Sequence, residues 1–260
     1  MSTFLFDEII FGPVFSRRLG ISLGINLLPS NLKFCNFDCI YCECGLSDLK
    51  NKSQKPVLPN CDDFILALEN KLKELVLKNK PLNAITFAGN GEPTLHPDFE
   101  KIIDQTILLR NKYFPEVKIA VLSNSTFLGK EHIFKALSKI EMPILKLDSA
   151  IENTVKIINS PPLNFSIPNL IDNLLKFEGK FILQTMFLKG SYKNEVIDNT
   201  TEVELNEWLK IIEKVKPQQV MIYTIARETP VSTLEKISLE KLEQIAEKVK
   251  KLGIETQISA

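Results

Sequence analysis

The chain has no apolar run long enough to span a bilayer, no excess of charge of either sign and almost no histidine. Without a membrane-length run, no transmembrane helix is expected. Thirty-two basic residues balance thirty-two acidic ones, which removes any bulk pull toward nucleic acid or anionic membrane and leaves only local patches. His96 and His132 are the only histidines; they read as loop or helix-surface residues and are set outside any metal site. The first residues carry Asp7 and Glu8 and no basic segment, so no secretory signal is expected and the chain reads as cytoplasmic. There is no fixed-period repeat, low-complexity tract or linker, and 260 residues of average composition suit one domain over residues 1–260. Cysteine is scarce too: five residues, four of them between positions 35 and 44 and the fifth at Cys61. An odd, clustered set of this kind suggests reduced thiols around a metal, not a disulfide framework.

What is present is concentrated in the run Cys35-Asn36-Phe37-Asp38-Cys39-Ile40-Tyr41-Cys42. A C-x3-C-x2-C spacing lets three thiolates converge on one inorganic centre. Iron–sulfur clusters ordinarily take four cysteines, so a [4Fe–4S] cube on Cys35, Cys39 and Cys42 keeps one iron open to an outside ligand. Cys44 extends the set to C-x3-C-x2-C-x-C, and a structural four-thiolate zinc site, hence a zinc-stabilised binding module without catalysis, is the alternative.

Around this run the pattern alternates strands and helices. Leu19 to Leu27 reads as the first strand. Phe64, Leu68, Leu72 and Leu75 recur at helical spacing behind Asp62 and Asp63, and Ala84 to Ala88 is the next strand. A helix around Phe99 to Ile103, a strand over Lys118–Leu122, a helix from Ile133 to Ile140 and a strand over Ile144–Leu147 follow. The next helix starts near Ser166 and Pro168 and stops at Gly179, before the strand Phe181–Met186. Thr201 and Glu204 form a capping-box pair, Val220–Tyr223 is a strand, and Ser238 caps the last helix. Six such units and a terminal extension over Ile254–Ile258 imply an α/β protein with a mostly parallel sheet, a partial (β/α)6 TIM-like barrel or a doubly wound sheet. In both, ligands gather at the carboxyl ends of the strands. Gly45 to Asn60 and Lys189 to Thr200 read as the longest loops, either lids or plain surface.

The cysteine run, with Tyr41 just before its third cysteine and Gly89-Asn90-Gly91-Glu92-Pro93 after the next strand, resembles the radical S-adenosylmethionine (SAM) enzymes. The opening segment from Gly12 to Asn26, including Ser16-Arg17-Arg18-Leu19, resembles the branch that holds the wyosine-type tRNA-modifying synthases and uncharacterised members. The resemblance favours the partial barrel. It implies a [4Fe–4S] cluster on Cys35, Cys39 and Cys42, SAM on the open iron, and its reductive cleavage to a 5′-deoxyadenosyl radical that abstracts hydrogen from substrate. A reductant protein such as flavodoxin or ferredoxin is the implied partner. Tyr41 is placed beside the adenine, Gly91, Glu92 and Pro93 beside the methionine ammonium, and Ser123 and Asn124 beside ribose or carboxylate.

The residues suit these roles. Glycines 89 and 91 permit close backbone approach, Glu92 accepts from a cationic amine and Pro93 stiffens the turn. Asp148, Gln184 and Arg227 stand at further strand ends and are assigned to cofactor or substrate. Arg227, after an apolar strand, is expected to be a guanidinium in need of an anion. Arg17 and Arg18 either neutralise a substrate carboxylate or phosphate or form a solvated pair. Lys146 lies within a strand and is functional if it points inward. Trp208 reads as core, and Cys44 and Cys61 as a nearby free thiol and a structural residue. Wyosine-type synthases carry further cysteines ahead of the main motif, and here none precedes Cys35. Small-molecule or nucleoside chemistry, tRNA modification without a second cluster, and activation of a partner protein are the candidate reactions.

Overall fold

The computed structural model describes residues 4–47 and 56–260. Its strands are β1 (Ile10–Ser16), β2 (Gly20–Ile25), β3 (Ala84–Phe87), β4 (Lys118–Ser123), β5 (Met142–Lys146), β6 (Ile182–Tyr192), β7 (Glu195–Asp198), β8 (Gln219–Thr224), β9 (Glu235–Lys236) and β10 (Glu255–Ser259). The helices are α1 (Cys61–Leu77), α2 (Phe99–Tyr113), α3 (Glu131–Ser138), α4 (Glu152–Asn159), α5 (Ile167–Leu175), α6 (Glu202–Val215) and α7 (Leu239–Lys250).

The sheet runs in the order β1-β2-β3-β4-β5-β6-β8-β10. From β2 to β10 every neighbouring pair on that path is parallel. The order never reverses, so there is no switch point of the doubly wound kind. Right-handed crossovers in one direction then put all connecting helices on one side of the sheet, as in an opened barrel wall. The fold is a partial TIM-like (β/α)6 barrel, and β10 adds one further parallel strand.

Period-two alternation divides the strand residues between two environments. Leu23, Ile25, Ile85, Phe87, Ile119 and Val121 pack with Phe64, Leu68, Ile102 and Ile133 of the helices in the main core. On the opposite face Ala120, Ile144, Ile182 and Met221 make a small cluster of their own. Two residues farther along the same strands stand Leu122, Lys146, Gln184 and Tyr223, which line a cavity. The concave wall thus changes from apolar to polar as it nears the carboxyl ends.

Of the seven described helices, three have the caps read from the sequence, at Ser166, Thr201 and Ser238. The side chains of Thr201 and Ser238 accept from the N–H groups of Glu204 and Lys241. The cap of α1 is Asn60, whose side chain accepts from Asp63 N, while Asp62 and Asp63 are first-turn acids. Trp208 is buried against Phe187 and donates to Thr185 Oγ1 at 3.0 Å.

Three expectations are corrected. The first sheet element is an antiparallel hairpin of β1 and β2, not one strand from Leu19. An additional helix, α4, precedes the one at Ser166. Lys189 to Thr200 is not a loop: β6 continues to Tyr192 and pairs antiparallel with β7. Of the loop from Gly45 to Asn60, residues 48–55 lie outside the described residues.

Candidate functional site

The cysteine run follows β2 and is held from two sides. Phe34 N–H donates to Asn90 O at 2.7 Å, and Glu92 N–H to Phe34 O at 3.1 Å. From the other side Asp38 N–H donates to Asn159 O at 2.8 Å and Ile40 N–H to Ile158 O at 2.9 Å, at the end of α4. Inside the loop, Lys33 Nζ bridges Asp38 Oδ1 at 2.8 Å and Gly45 O at 2.9 Å.

Gly91 is needed where these segments meet. A Cβ there would lie 1.9 Å from Phe34 O, and its φ is +147°. Gly89 is comparably tight, with a Cβ 2.5 Å from Asn26 Oδ1. Between them Asn90 is fully buried; its side chain donates to Phe6 O and Pro29 O and accepts from Phe6 N–H. The glycines admit the cysteine loop, and the asparagine fixes the N-terminal segment over it.

Glu92 caps the 3-10 turn Pro93–Leu95. Its Oε1 accepts from Thr94 N, Thr94 Oγ1 and Ser123 Oγ, and its Oε2 from Asn124 N at 2.6 Å. Burial pushes its carboxyl above the usual range, and these donors pull against that shift. Oε2 has one protein donor only, which leaves acceptor capacity for a cation.

Several donors face the cysteine sulfurs. Phe37 N–H lies 3.4 Å and Asn124 Nδ2 3.6 Å from Cys35 Sγ, and Asn159 Nδ2 lies 3.3 Å from Cys39 Sγ. Burial holds the Cys35 thiol far above its ordinary value and pushes Cys39 up to about 11. Cys42 is pulled down, first by a hydrogen bond from Cys44. Cys44 also lies 3.5 Å from Gly89 O.

At the far wall lies a polar knot. The Tyr41 hydroxyl donates to Asp148 Oδ2, and Lys146 Nζ donates to Tyr41 Oη at 2.6 Å and Tyr223 Oη at 3.0 Å, with Asp148 Oδ2 at 3.5 Å. Asp148 also accepts from Asn159 Nδ2 at 2.7 Å and from Met186 N at 2.9 Å. Burial lowers the Lys146 value, but Asp148, Tyr223 and Cys39 together more than offset it and the net shift is upward, so Lys146 is an ammonium. The phenols of Tyr41 and Tyr223 are held above their usual value, first by burial, and are neutral.

These elements surround one cavity of about 350 Å³. Cys35, Cys39, Cys42, Tyr41, Gly91, Glu92, Ser123, Asn124 and Gln184 all line it. Gln184 is 4% exposed and its Nε2 has no hydrogen-bond partner. Pro93 and Asp148 lie behind the wall, Pro93 in the turn and Asp148 as the acceptor that positions Tyr41 and Lys146. Arg227 departs from expectation. Its side chain is 69% exposed and pairs with Glu43 at 2.6 Å, so its anion is a protein carboxylate at the rim. Lys146, Asn159, Tyr223 and Arg18 complete the site. Lys146 and Tyr223 were accessible from period-two strand alternation, whereas no sequence signal marked Asn159.

The donor set also bears on the kind of metal. Among the described residues no group of three or more His, Cys, Asp or Glu side chains is placed to hold a metal ion. One zinc ion draws its thiolates into a tight tetrahedron; a cubane spreads its ligands over separate corners. Three cysteines around a cavity, with N–H groups aimed at sulfur, fit a cluster.

A concave wall of parallel strands, with a three-cysteine loop and a glycine turn at its carboxyl end, defines an iron–sulfur enzyme on a barrel. The sequence model of the Radical SAM superfamily matches residues 32–216, and the chain belongs to that superfamily. Its cofactors are accordingly a [4Fe–4S] cluster and SAM. A UPF0026 protein of Methanocaldococcus jannaschii is 32% identical over 205 residues, covering 76% of this chain and 60% of that protein. A Brachyspira hyodysenteriae protein named GTPase Obg is 31% identical over 239 residues, 90% of this chain and 32% of that protein. The chain thus spans less than two thirds of either relative. Among solved structures, SuiB of Streptococcus suis bound to S-adenosylmethionine matches at TM-score 0.61 and 15% identity, covering 88% of this chain and 49% of that one. TYW1 with a lysine-pyruvate adduct bound matches at TM-score 0.61 and 13% identity, with 88% and 73% covered. At these identities the likeness is one of fold. Among the described residues no helix is long and apolar enough to cross a membrane.

Proposed function

We propose that Cys35, Cys39 and Cys42 hold the [4Fe–4S] cluster, that SAM occupies the adjoining cavity, and that residues 1–260 act as one catalytic core on a substrate bound beside it. The observation that carries this reading is the meeting of the three cysteines, Glu92 and the unpartnered Gln184 amide around one cavity of about 350 Å³. When bound, the cluster and SAM together supply the 5′-deoxyadenosyl radical, for which an outside reductant such as flavodoxin or ferredoxin delivers the electron.

The chain's own residues bind, orient and exclude water. Glu92 Oε2 accepts from the methionyl ammonium, while its remaining bonds fix the glycine turn against β4. Asn124, Asn159 and the Phe37 N–H donate to the thiolates, which stabilises charge on sulfur and tunes the potential. Gln184 Nε2 donates to an acceptor on cofactor or substrate. Tyr41, with its hydroxyl tied to Asp148 and Lys146, offers a fixed ring face to the cavity. Phe37 and Met186 are buried apolar groups at the lining and keep water from the reacting atoms.

Anaerobic purification tests the reading. A brown protein with iron and sulfide that forms 5′-deoxyadenosine from SAM under reduction is expected. A colourless protein with stoichiometric zinc overturns the assignment.

A further inference from the structure

Arg18 is not absorbed by the chemistry above, yet it lines the main cavity and also a second hollow of about 70 Å³ beside it. The two spaces share Arg18, Tyr41, Glu43, Met186 and Tyr223. The Arg18 guanidinium carbon lies 5.1 Å from the centroid of the Tyr223 ring. Its main chain is fixed, because Arg18 N–H donates to Ser16 Oγ at 3.3 Å and Arg18 O accepts from Gln257 Nε2 at 3.0 Å. The far edge of the same phenol accepts from Lys146.

The charges around the smaller hollow are unequal. Arg17, Arg18 and Arg227 line it, against Glu43 as the one acidic side chain. Glu43 is taken by Arg227 at 2.6 Å, and Arg17 donates to Ala260 O at 2.7 Å. Lys146 has Asp148 and two phenol oxygens. Among the described residues the Arg18 guanidinium has no carboxylate and no hydrogen-bond acceptor, although it carries five N–H donors. In the adjoining space Gln184 Nε2, 4% exposed, is likewise a donor without a partner. The buried Gln184 amide lacks an acceptor outright, and the half-buried Arg18 guanidinium is free to take one from a ligand.

We propose that the substrate is a small anion whose carboxylate or phosphate group is bound by Arg18 in the hollow beside Tyr223, with the body of the molecule reaching into the main cavity. The proposal rests on the radical SAM reading, which assigns the rest of that cavity to the cofactor. A planar fork held over an aromatic face, 5.1 Å from the Tyr223 centroid, is suited to either oxyanion. The hollow is about the size of one such group, and the chain's balanced net charge supplies no bulk attraction for a polyanion.

The test uses iron-loaded, SAM-saturated protein under anaerobic conditions, with inorganic phosphate and 13C-acetate as probes and saturable NMR line broadening as readout. Saturable binding of at least one probe is expected, weakened about tenfold or more in Arg18→Gln and partly restored in Arg18→Lys. Lys176→Gln, an equal charge change at an exposed site beyond α5, is expected to bind like the wild type. Binding of phosphate alone assigns a phosphate end, and of acetate alone a carboxylate end. Absence of saturable binding, or equal loss in Arg18→Gln and Lys176→Gln, overturns the proposal. So does probe binding that appears only in a SAM-free sample, since Arg18 then serves the cofactor's own carboxylate. Should Arg18→Gln fail to fold, Arg18→Lys against wild type decides alone: unchanged affinity overturns the proposal. Iron content and 5′-deoxyadenosine formation in the wild-type sample separate failure of the radical SAM reading from failure of this one.

Discussion

Replacing Gly91 with alanine tests how the cysteine loop is built. The added methyl carbon would sit 1.9 Å from Phe34 O, 2.5 Å from Phe34 C and 3.1 Å from Cys35 N, all main-chain atoms. No rotamer relieves a Cβ clash, so either the loop or the glycine turn moves. Movement breaks the bonds from Phe34 N to Asn90 O and from Glu92 N to Phe34 O, each worth about 1 kcal/mol. A side chain at φ +147° and overpacking of a tight contact add roughly 1–3 kcal/mol together. The total is about 3–5 kcal/mol if the fold absorbs it, which lowers a urea midpoint by about 1–2 M at the slope of a chain this size. If the loop yields instead, the midpoint is kept and the cysteines lose register. The assay therefore combines anaerobic urea unfolding with iron per chain after reconstitution, and a fall in at least one is expected. A Gly91→Ala protein with wild-type midpoint and wild-type iron would falsify this account of the contact.

Further expectations are narrower. Cys39→Ala is expected to lose cluster retention and SAM cleavage, read as iron, sulfide and 5′-deoxyadenosine; retained cleavage refutes its place as a ligand. Glu92→Ala is expected to leave iron content nearly intact and weaken SAM binding about tenfold or more, the scale of a lost charge-assisted hydrogen bond; unchanged affinity at equilibrium dialysis removes Glu92 from the cofactor. A pH test concerns Glu141. Burial pushes its carboxyl up, but Ile119 N–H and Arg110 pull it down further, and the net value lies below the ordinary glutamate range. A depressed acid contributes its stability above about pH 4.5 and loses it as pH falls through the folded value. The stability gap between wild type and Glu141→Gln is accordingly expected to narrow from pH 6 to pH 3 in urea titrations, and a gap that widens refutes the assignment.

Much of the architecture was legible in the sequence because it rests on local chemistry. Thr201 and Ser238 are helix caps in sequence and structure alike, and short apolar runs such as Ala84–Phe87 are fully buried strands. The missed elements have weak local signals. Helix α4 is only eight residues long, and its N-cap position, Ile151, offers no side-chain acceptor. The β6–β7 hairpin turns through Lys193 and Asn194, both with positive φ, where a glycine would ordinarily announce the turn. The glycine motif was readable, but why it is needed was not: Gly91 faces Phe34, and only the folded chain brings them together. The Tyr41–Asp148 and Lys146–Tyr223 contacts join residues 107 and 77 positions apart, beyond any pattern of spacing. Arg227 stands at a strand end as read, yet whether such a residue faces ligand or solvent depends on a neighbour, Glu43, that sequence does not reveal.

The cysteine loop is fastened at Asn90 on one side and at Ile158 and Asn159 on the other. During synthesis, residues 35–42 leave the ribosome more than a hundred residues ahead of Asn159, and until the latter emerges half of their scaffold does not exist. On the proposed ligand set, cluster insertion is expected to follow the emergence of Asn159. A truncated chain that ends before Asn159 presents its thiols without the frame that would receive a cubane.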